Sequence, residues 1–117
     1  MPLEVQVFGT KKCQDTRKAL RFFAERRVRT HFVDLDVRAA SLGELRRFAQ
    51  KFGVAALVDR EGSRFADLGL RTAALSDERW LERLEAEPGL LRTPLVRCQQ
   101  RLTLGVDEPA WKEWVGR

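Results

Sequence analysis

Residues 8–17 read FGTKKCQDTR and contain the transition on which the fold prediction depends. The alternating residues 5–8, VQVF, lead into this segment and predict a first β-strand that ends at Gly9. Apolar side chains then recur at helical spacing through residues 15–27, which predicts an amphipathic helix. Cys13 is therefore expected at the junction between a strand and the N-terminus of a helix.

The chain beyond this segment changes from strand patterns to helix patterns and back again. Residues 30–35 alternate and predict a second strand. Residues 41–90 carry helix signals alone: Ser41 and Glu44 form a capping box, and Ser76 caps a later helix. We therefore predict a helical insertion at about 41–90.

The C-terminal part returns to strand patterns. Residues 94–97 and 101–104 flank residues 98–100, a short loop suited to a β-hairpin, and a final helix follows Asp107. A strand-helix-strand start predicts a parallel unit, to which the hairpin adds antiparallel strands. Residues 1–117 are thus predicted to form a single α/β domain, a mixed four-stranded sheet with flanking helices.

Composition and charge exclude several classes of protein. At 117 residues, 44% hydrophobic and 33% charged, the chain has the composition of a globular domain. Its N-terminus lacks the pattern of a signal peptide and no apolar run is long enough to span a bilayer, so we expect a cytoplasmic protein. The net charge of +5 comes from basic residues interleaved with acidic ones, which is typical of solvated helix faces rather than of nucleic-acid binding.

The two cysteines, Cys13 and Cys98, are too few for a disulfide framework. They also share no metal-ligand spacing with the single histidine, so no metal site is predicted. Metal binding is not part of the expected function.

The neighbours of Cys13 favour a reactive thiol over a buried structural one. Free backbone N–H groups and the helix dipole at a helix start favour an anion, and the thiolate is the nucleophilic form of cysteine. Lys12 and Arg17 add positive charge nearby, while Asp15 acts in the opposite direction. Buried structural cysteines generally lie within apolar runs, whereas Cys13 has polar neighbours in the sequence.

Five stretches occur in a characteristic order. They are residues 7–13 (VFGTKKC), Arg17, residues 67–70 (DLGL), residues 93–96 (TPLV) and residues 104–107 (LGVD). Together they resemble the arsenate reductase (ArsC) family with its Spx and YffB-like relatives. The resemblance covers nearly the whole chain and implies a thioredoxin-like fold of βαβ, helical insertion and ββα.

The resemblance also implies a redox chemistry. In the arsenate reductases the cysteine attacks an oxyanion that arginines hold, and glutathione and glutaredoxin resolve the adduct. Cys13 would then be the nucleophile, Arg17 would stabilise its thiolate or an oxyanion, and Pro94 would be a cis-proline beside the thiol. Glutathione is the expected co-substrate, and no bound cofactor is expected.

The expected substrate-binding residues are those that the resemblance places near the thiol: Thr10, Lys12, Arg60, Arg92, Thr93 and Pro94. Two of these positions depart from the family pattern. Thr93 stands where the family has an arginine directly before the proline, with Arg92 one place earlier. Asp59 stands where the reductases have another arginine, with Arg60 adjacent. Because a shift of one place along a strand reverses the side chain's face, the arginine set for arsenate is incomplete.

The sequence is compatible with two functions, one enzymatic and one not, and it does not decide between them. One is a monothiol reductase that acts on an oxyanion or a disulfide with glutathione or glutaredoxin as its partner. The other is a non-catalytic regulator that binds a protein partner, as the Spx branch binds RNA polymerase. Spx-type relatives carry a second cysteine three residues after the first, and here Thr16 takes that place. A Cys-x-x-Cys switch is thereby excluded.

Two further side chains and the second cysteine complete the sequence expectations. The hydroxyls of Thr10 and Thr16 could donate hydrogen bonds to a thiolate or oxyanion, although helix capping is the commoner role. Cys98 lies four residues beyond Pro94, so at roughly 3.3 Å per strand residue it should be more than about 10 Å from Cys13. That separation is too large for a disulfide.

Overall fold

The computed structural model describes residues 3–116. Its helices and strands, in chain order, are β1 (Glu4–Gly9), α1 (Gln14–Glu25), β2 (Arg29–Asp34), α2 (Leu42–Phe52), α3 (Ser63–Asp67), α4 (Asp77–Ala86), β3 (Leu95–Cys98), β4 (Arg101–Leu104) and α5 (Glu108–Val115). Short 3₁₀ turns lie between α2 and α3, between α3 and α4, and between α4 and β3: Ala55–Leu57, Leu70–Thr72 and Pro88–Leu90. None of the helices within residues 3–116 has the length and apolar character that crossing a membrane requires.

The chain forms two compact units. The first consists of the chain up to Arg38 together with the chain from Thr93 onward, and the second is Ala39–Arg92. The predicted helical insertion at 41–90 falls within the second unit. That residues 1–117 make one domain stays a prediction.

The first unit contains a four-stranded sheet in the order β2-β1-β3-β4. Strands β1 and β2 are parallel, whereas β3 pairs antiparallel with both β1 and β4. The predicted mixed sheet with flanking helices is confirmed. In this order β1 is a central strand, so its C-terminal residue Gly9 leads into α1 from the middle of the sheet.

One face of this sheet packs against α1 and α5. Val5 and Val7 of β1, Phe22 and Phe23 of α1, and Trp111 of α5 belong to one buried cluster. The Trp111 ring lies 5.4 Å from both phenylalanine rings, centroid to centroid. This packing fixes α1 on the sheet and thereby positions the loop that leads into it.

The second unit is helical, as predicted. Ser41 and Glu44 form the predicted capping box: the Ser41 hydroxyl accepts from the Glu44 N–H at 3.1 Å, and the Glu44 carboxylate accepts from the Ser41 N–H at 2.9 Å. Helix α2 ends at Gly53, whose φ of 86° is unfavourable for other residues. The Ser76 hydroxyl accepts from the Arg79 N–H and caps α4.

Two sequence expectations near element ends are wrong in detail. The helix predicted for residues 15–27 ends at Glu25, because Arg27 adopts a φ of 58° that an α-helix cannot contain. Cys98 was expected in the hairpin loop and is instead the last residue of β3, paired with Arg101 and fully buried. The loop contains only Gln99 and Gln100, because a positive φ at Gln99 allows a tight two-residue turn.

Candidate active site

Cys13 is the N-cap residue of α1. Its carbonyl accepts the first helical hydrogen bond from the Arg17 N–H at 3.0 Å, and its own N–H donates to the Thr10 carbonyl at 3.1 Å. Its backbone is extended, with φ −78° and ψ 118°. The first N–H groups of a helix have no partners inside it, so the sulfur lies at the positive end of the helix dipole. The residue is partly exposed.

The residues just before β3 also contact the sulfur. The Thr93 hydroxyl donates to the Cys13 Sγ at 3.2 Å, and the thiol makes a long contact of 3.9 Å to the Thr93 carbonyl. The Thr93–Pro94 peptide bond is cis, and the Pro94 carbonyl accepts from the Gly105 N–H at 2.8 Å. The structure therefore places the Thr93 hydroxyl at the sulfur, with Pro94 next to it in the chain, and joins Thr10 to Cys13 through the backbone.

The surroundings of Cys13 favour its ionised form. Partial burial raises the pKa of the thiol, but donors outweigh that effect and bring its pKa below the ordinary cysteine value. The groups that lower the pKa by donating to the ionised sulfur are the side chains of Thr16 and Thr93 and the backbone N–H groups of Thr16 and Asp15. The thiol makes no capping hydrogen bond. The backbone donors are thus available to an anionic sulfur rather than already bonded to a neutral one.

A close contact between β1 and α1 lies at the two ends of the loop that contains Cys13. Thr16 is fully buried, and a Cβ added at Gly9 would overlap its Oγ1 and lie 2.6 Å from its Cγ2. A β-branched side chain has few rotamers, so Thr16 cannot move aside without disturbing the helix. Gly9 is therefore needed for its lack of a side chain, which lets the first turn of α1 approach the end of β1.

Replacing Gly9 with alanine is expected to destabilise the protein by about 1–3 kcal/mol, because the new methyl group overfills a packed site. Urea unfolding of the wild type and the variant measures this change. Gly43→Ala in α2 is the matched control, since a Cβ there meets only the Ser41 hydroxyl, at 3.9 Å. The control should keep or slightly raise stability through helix propensity. Equal effects at the two glycines would contradict the close-contact argument.

Basic side chains lie on the loop before Cys13 and on the first turn of α1, and one of them is hydrogen-bonded to that loop. Arg17 is exposed, and its guanidinium donates to the Lys11 carbonyl at 2.7 Å, which ties α1 to the loop before Cys13. Lys11 and Lys12 are exposed on the same loop. Together with Arg17 they outnumber Asp15, so the surroundings of the thiol favour an anionic or electron-rich reactant.

Arg60 and Arg92 lie in the second unit and line the same cavity of about 400 Å³. Asp59 and Glu61 also line it, and their charges oppose the binding of an anion. The Arg92 N–H donates to the Leu57 carbonyl at 2.8 Å, which links Arg92 to the Ala55–Leu57 turn. The Arg60 guanidinium lies 5.7 Å from the Phe65 ring and 5.9 Å from the Trp80 ring.

Sequence reasoning did not select two residues that shape the site. Gly9 was assigned only the end of a strand, although it is the residue that admits Thr16. Thr16 was considered as a donor but was left out of the expected site residues. The signal that could have indicated both is a glycine at the end of a strand followed, one turn into the helix, by a small β-branched residue. Cys98 is free and buried, and it contacts Arg101 rather than the active-site thiol.

With this geometry established, the chain can be compared with known proteins. The sequence model of the ArsC family matches residues 8–114. The chain belongs to the ArsC family. A comparison with curated protein sequences finds none that matches this ArsC-family chain.

Solved structures of similar proteins show the thioredoxin-like fold of this ArsC-family chain. The YFFB protein is 23% identical with a TM-score of 0.87, and the match covers 96% of this chain and 99% of that one. An arsenate reductase from Vibrio cholerae is 21% identical with a TM-score of 0.79, covering 89% and 91%. The SACOL0876 protein from Staphylococcus aureus is 26% identical with a TM-score of 0.76, covering 93% and 96%. The α/β thioredoxin-like fold that the sequence resemblance implied is confirmed.

Proposed function

We propose that this ArsC-family protein is a monothiol oxidoreductase whose nucleophile is Cys13. A single observation carries the proposal: a partly exposed thiol lies at the N-terminus of α1, receives a hydrogen bond from Thr93 and has a lowered pKa. A thiol that ionises more readily than usual provides more of the reactive thiolate near neutral pH. Arg17 would support this thiolate through the loop that it holds and through its charge.

The proposed reaction has two steps of thiol–disulfide exchange. The Cys13 thiolate attacks one sulfur of a disulfide substrate, a new S–S bond forms, and the other substrate sulfur leaves as a thiolate. The thiolate of glutathione or of a glutaredoxin then attacks the substrate sulfur of the mixed disulfide, forms a new S–S bond to it and releases Cys13 as a thiolate. The electrons that reduce the substrate come from this second thiol, so the protein is unchanged after one cycle. This coupling requires a reducing compartment such as the cytoplasm.

An oxyanion such as arsenate is a second electrophile for the same thiolate. Membership of the ArsC family and the similarity to the arsenate reductase from Vibrio cholerae support it. We propose Thr10, Lys12 and Thr93 as its neighbours at the thiol. Arg60 and Arg92, the other two arginines that the family resemblance suggests, line a cavity of the second unit together with Asp59 and Glu61, whose charges oppose an anion. Because several donors must converge on one oxyanion, disulfide exchange is the activity that the described residues support better.

The alkylation rate of Cys13 as a function of pH tests this proposal. In a Cys98→Ala background, which leaves one thiol, the rate with iodoacetamide should rise with a midpoint below about 8.5, the ordinary value. Mass spectrometry should also show one glutathione per chain after treatment with glutathione disulfide. A midpoint at or above the ordinary value, without adduct formation, would contradict the proposal. Stoichiometric binding to purified RNA polymerase without turnover would instead support a regulator.

A further inference from the structure

We propose that Thr16 is a positioning residue whose buried hydroxyl bonds to the Cys13 sulfur only after the thiol has ionised. This inference rests on the proposed function and assigns a further residue to the same reaction. Thr16 would act through the sulfur and would not touch the substrate.

The first observation is an unsatisfied hydroxyl. Thr16 is fully buried, and its Oγ1 has no hydrogen-bond partner among residues 3–116. A threonine in a helix usually bonds to a carbonyl of the preceding turn or points to solvent, and this one does neither. Buried polar side chains without partners are uncommon and destabilise the folded state, so a partner that forms in another state of the protein would explain this one.

The second observation is the place of this hydroxyl relative to the sulfur. Cys13 is the N-cap of α1, and Thr16 is the third residue of that helix. In an ordinary helix start, the N-cap side chain accepts a hydrogen bond from the backbone N–H of the second or third residue of the helix. The hydroxyl and the N–H of Thr16 both contribute to lowering the pKa of Cys13. Oγ1 is also the Thr16 atom nearest to the position of a Cβ built at Gly9, so the hydroxyl lies in the narrow space between the end of β1 and the first turn of α1.

The two threonines would then bond to the sulfur in different protonation states. In the thiol form Thr93 donates to the sulfur at 3.2 Å, while Thr16 donates to nothing among the described residues. A thiolate can accept several hydrogen bonds, and a bond to a charged acceptor is roughly twice as strong as a neutral one. Ionisation would therefore give Thr16 a partner and reduce the energetic penalty of its burial.

This change of partner would affect both steps of the exchange. Before attack, the added donor increases the thiolate fraction. During release of the mixed disulfide, Cys13 is the leaving group, and a thiol of lower pKa leaves faster. In the mixed disulfide itself the sulfur is neutral, and the hydroxyl loses its strong acceptor again. Thr16 would thus favour the free thiolate over the adduct.

The charged groups on the segments around Cys13 take no part in the proposed hydrogen bond from Thr16. They are Lys11, Lys12, Asp15 and Arg17, all of them exposed on the loop and the first turn of α1. Neither residue of the cis Thr93–Pro94 bond is charged. A Thr16→Val substitution leaves all of these groups in place, so a change in the ionisation of Cys13 would report the hydroxyl alone.

Thr16→Val tests the inference in the Cys98→Ala background, with alkylation midpoint and melting temperature measured together. The midpoint should rise by about one pH unit, the effect of one hydrogen bond to a charged group. At a pH below the wild-type midpoint, the melting temperature should stay equal or rise, because an unpaired buried hydroxyl has been removed. Thr16→Ser should return the midpoint to the wild-type value. Thr30→Val is the matched control and should leave the midpoint unchanged, since that hydroxyl bonds to the Val28 carbonyl.

A merely structural threonine would give the opposite pattern. An unchanged midpoint in Thr16→Val, or a midpoint that serine fails to restore, would overturn the inference. Thr16→Ala carries the same expectation for the midpoint and replaces the valine variant if the latter does not fold. Alkylation needs no physiological substrate, so a wild type that fails to exchange with glutathione would contradict the proposed function and leave this comparison decisive.

Discussion

Replacing Cys13 with serine is expected to lower the rate of glutathione-dependent disulfide exchange by at least about a thousandfold, as removal of a catalytic nucleophile does elsewhere. A serine hydroxyl ionises too weakly to replace a thiolate and cannot form a mixed disulfide. The donors from Thr16, Thr93 and the start of α1 would remain, but no sulfur would accept their bonds. A coupled assay with hydroxyethyl disulfide, glutathione and glutathione reductase measures the loss.

The second cysteine supplies the control for this variant. Cys98 is fully buried in β3 and free, so Cys98→Ala should keep the exchange rate within about twofold of the wild type. Both variants should show the same far-ultraviolet circular dichroism, because Cys13 is partly exposed and alanine fits the site of Cys98. If exchange activity survived in Cys13→Ser and disappeared in Cys98→Ala, the nucleophile would be Cys98 and the assignment to Cys13 would be wrong.

Local sequence patterns were sufficient to predict the position of the thiol. The alternation before Gly9 and the helical spacing after Cys13 depend on neighbouring residues alone, and the structure has the strand and helix in those places. The capping box of Ser41 and Glu44 was predictable for the same reason, since its two hydrogen bonds span only three residues. Features of this kind need no knowledge of how distant parts of the chain pack.

The residues that could not be predicted are those whose roles depend on tertiary packing. The burial of the Thr16 hydroxyl follows from the approach of α1 to Gly9: a glycine followed by a small β-branched residue can indicate such a contact, but it does not determine the distance. The guanidinium of Arg17 bonds to the Lys11 carbonyl, a choice that its helical position alone does not determine. Cys98 was misplaced because a loop of two or three residues fits the sequence equally well, and only the pairing register decides between them.

Thr93, which stands where the family resemblance implies an arginine, also bears on the chemistry. An arginine at this place would bring a permanent charge to an oxyanion, whereas threonine brings one neutral hydroxyl, 3.2 Å from the sulfur. The hydroxyl stabilises the Cys13 thiolate but contributes little to holding a multiply charged substrate. This difference supports the proposed action on substrates whose reactive group is a neutral S–S bond.

Replacing Trp111 with alanine is expected to lower the free energy of unfolding by about 3–5 kcal/mol, the range for removing a large buried aromatic side chain. Trp111 is a fully buried residue of α5, and its ring contacts Phe22 and Phe23 of α1. Its indole Nε1–H also donates to the Thr103 hydroxyl at 2.8 Å. Such a loss is a large part of the roughly 5–15 kcal/mol that stabilises a typical domain. Urea unfolding followed by circular dichroism measures it.

Two milder variants separate packing from hydrogen bonding at this position. Trp111→Phe keeps an aromatic ring but leaves the buried Thr103 hydroxyl without its donor, so it should cost less than alanine does. Adding Thr103→Val should recover part of that loss, because the unpaired hydroxyl is then removed. Since α1 carries Cys13, Trp111→Ala should also broaden the pH profile of Cys13 alkylation. A Trp111→Ala protein within about 1 kcal/mol of the wild type would show that α5 does not support α1.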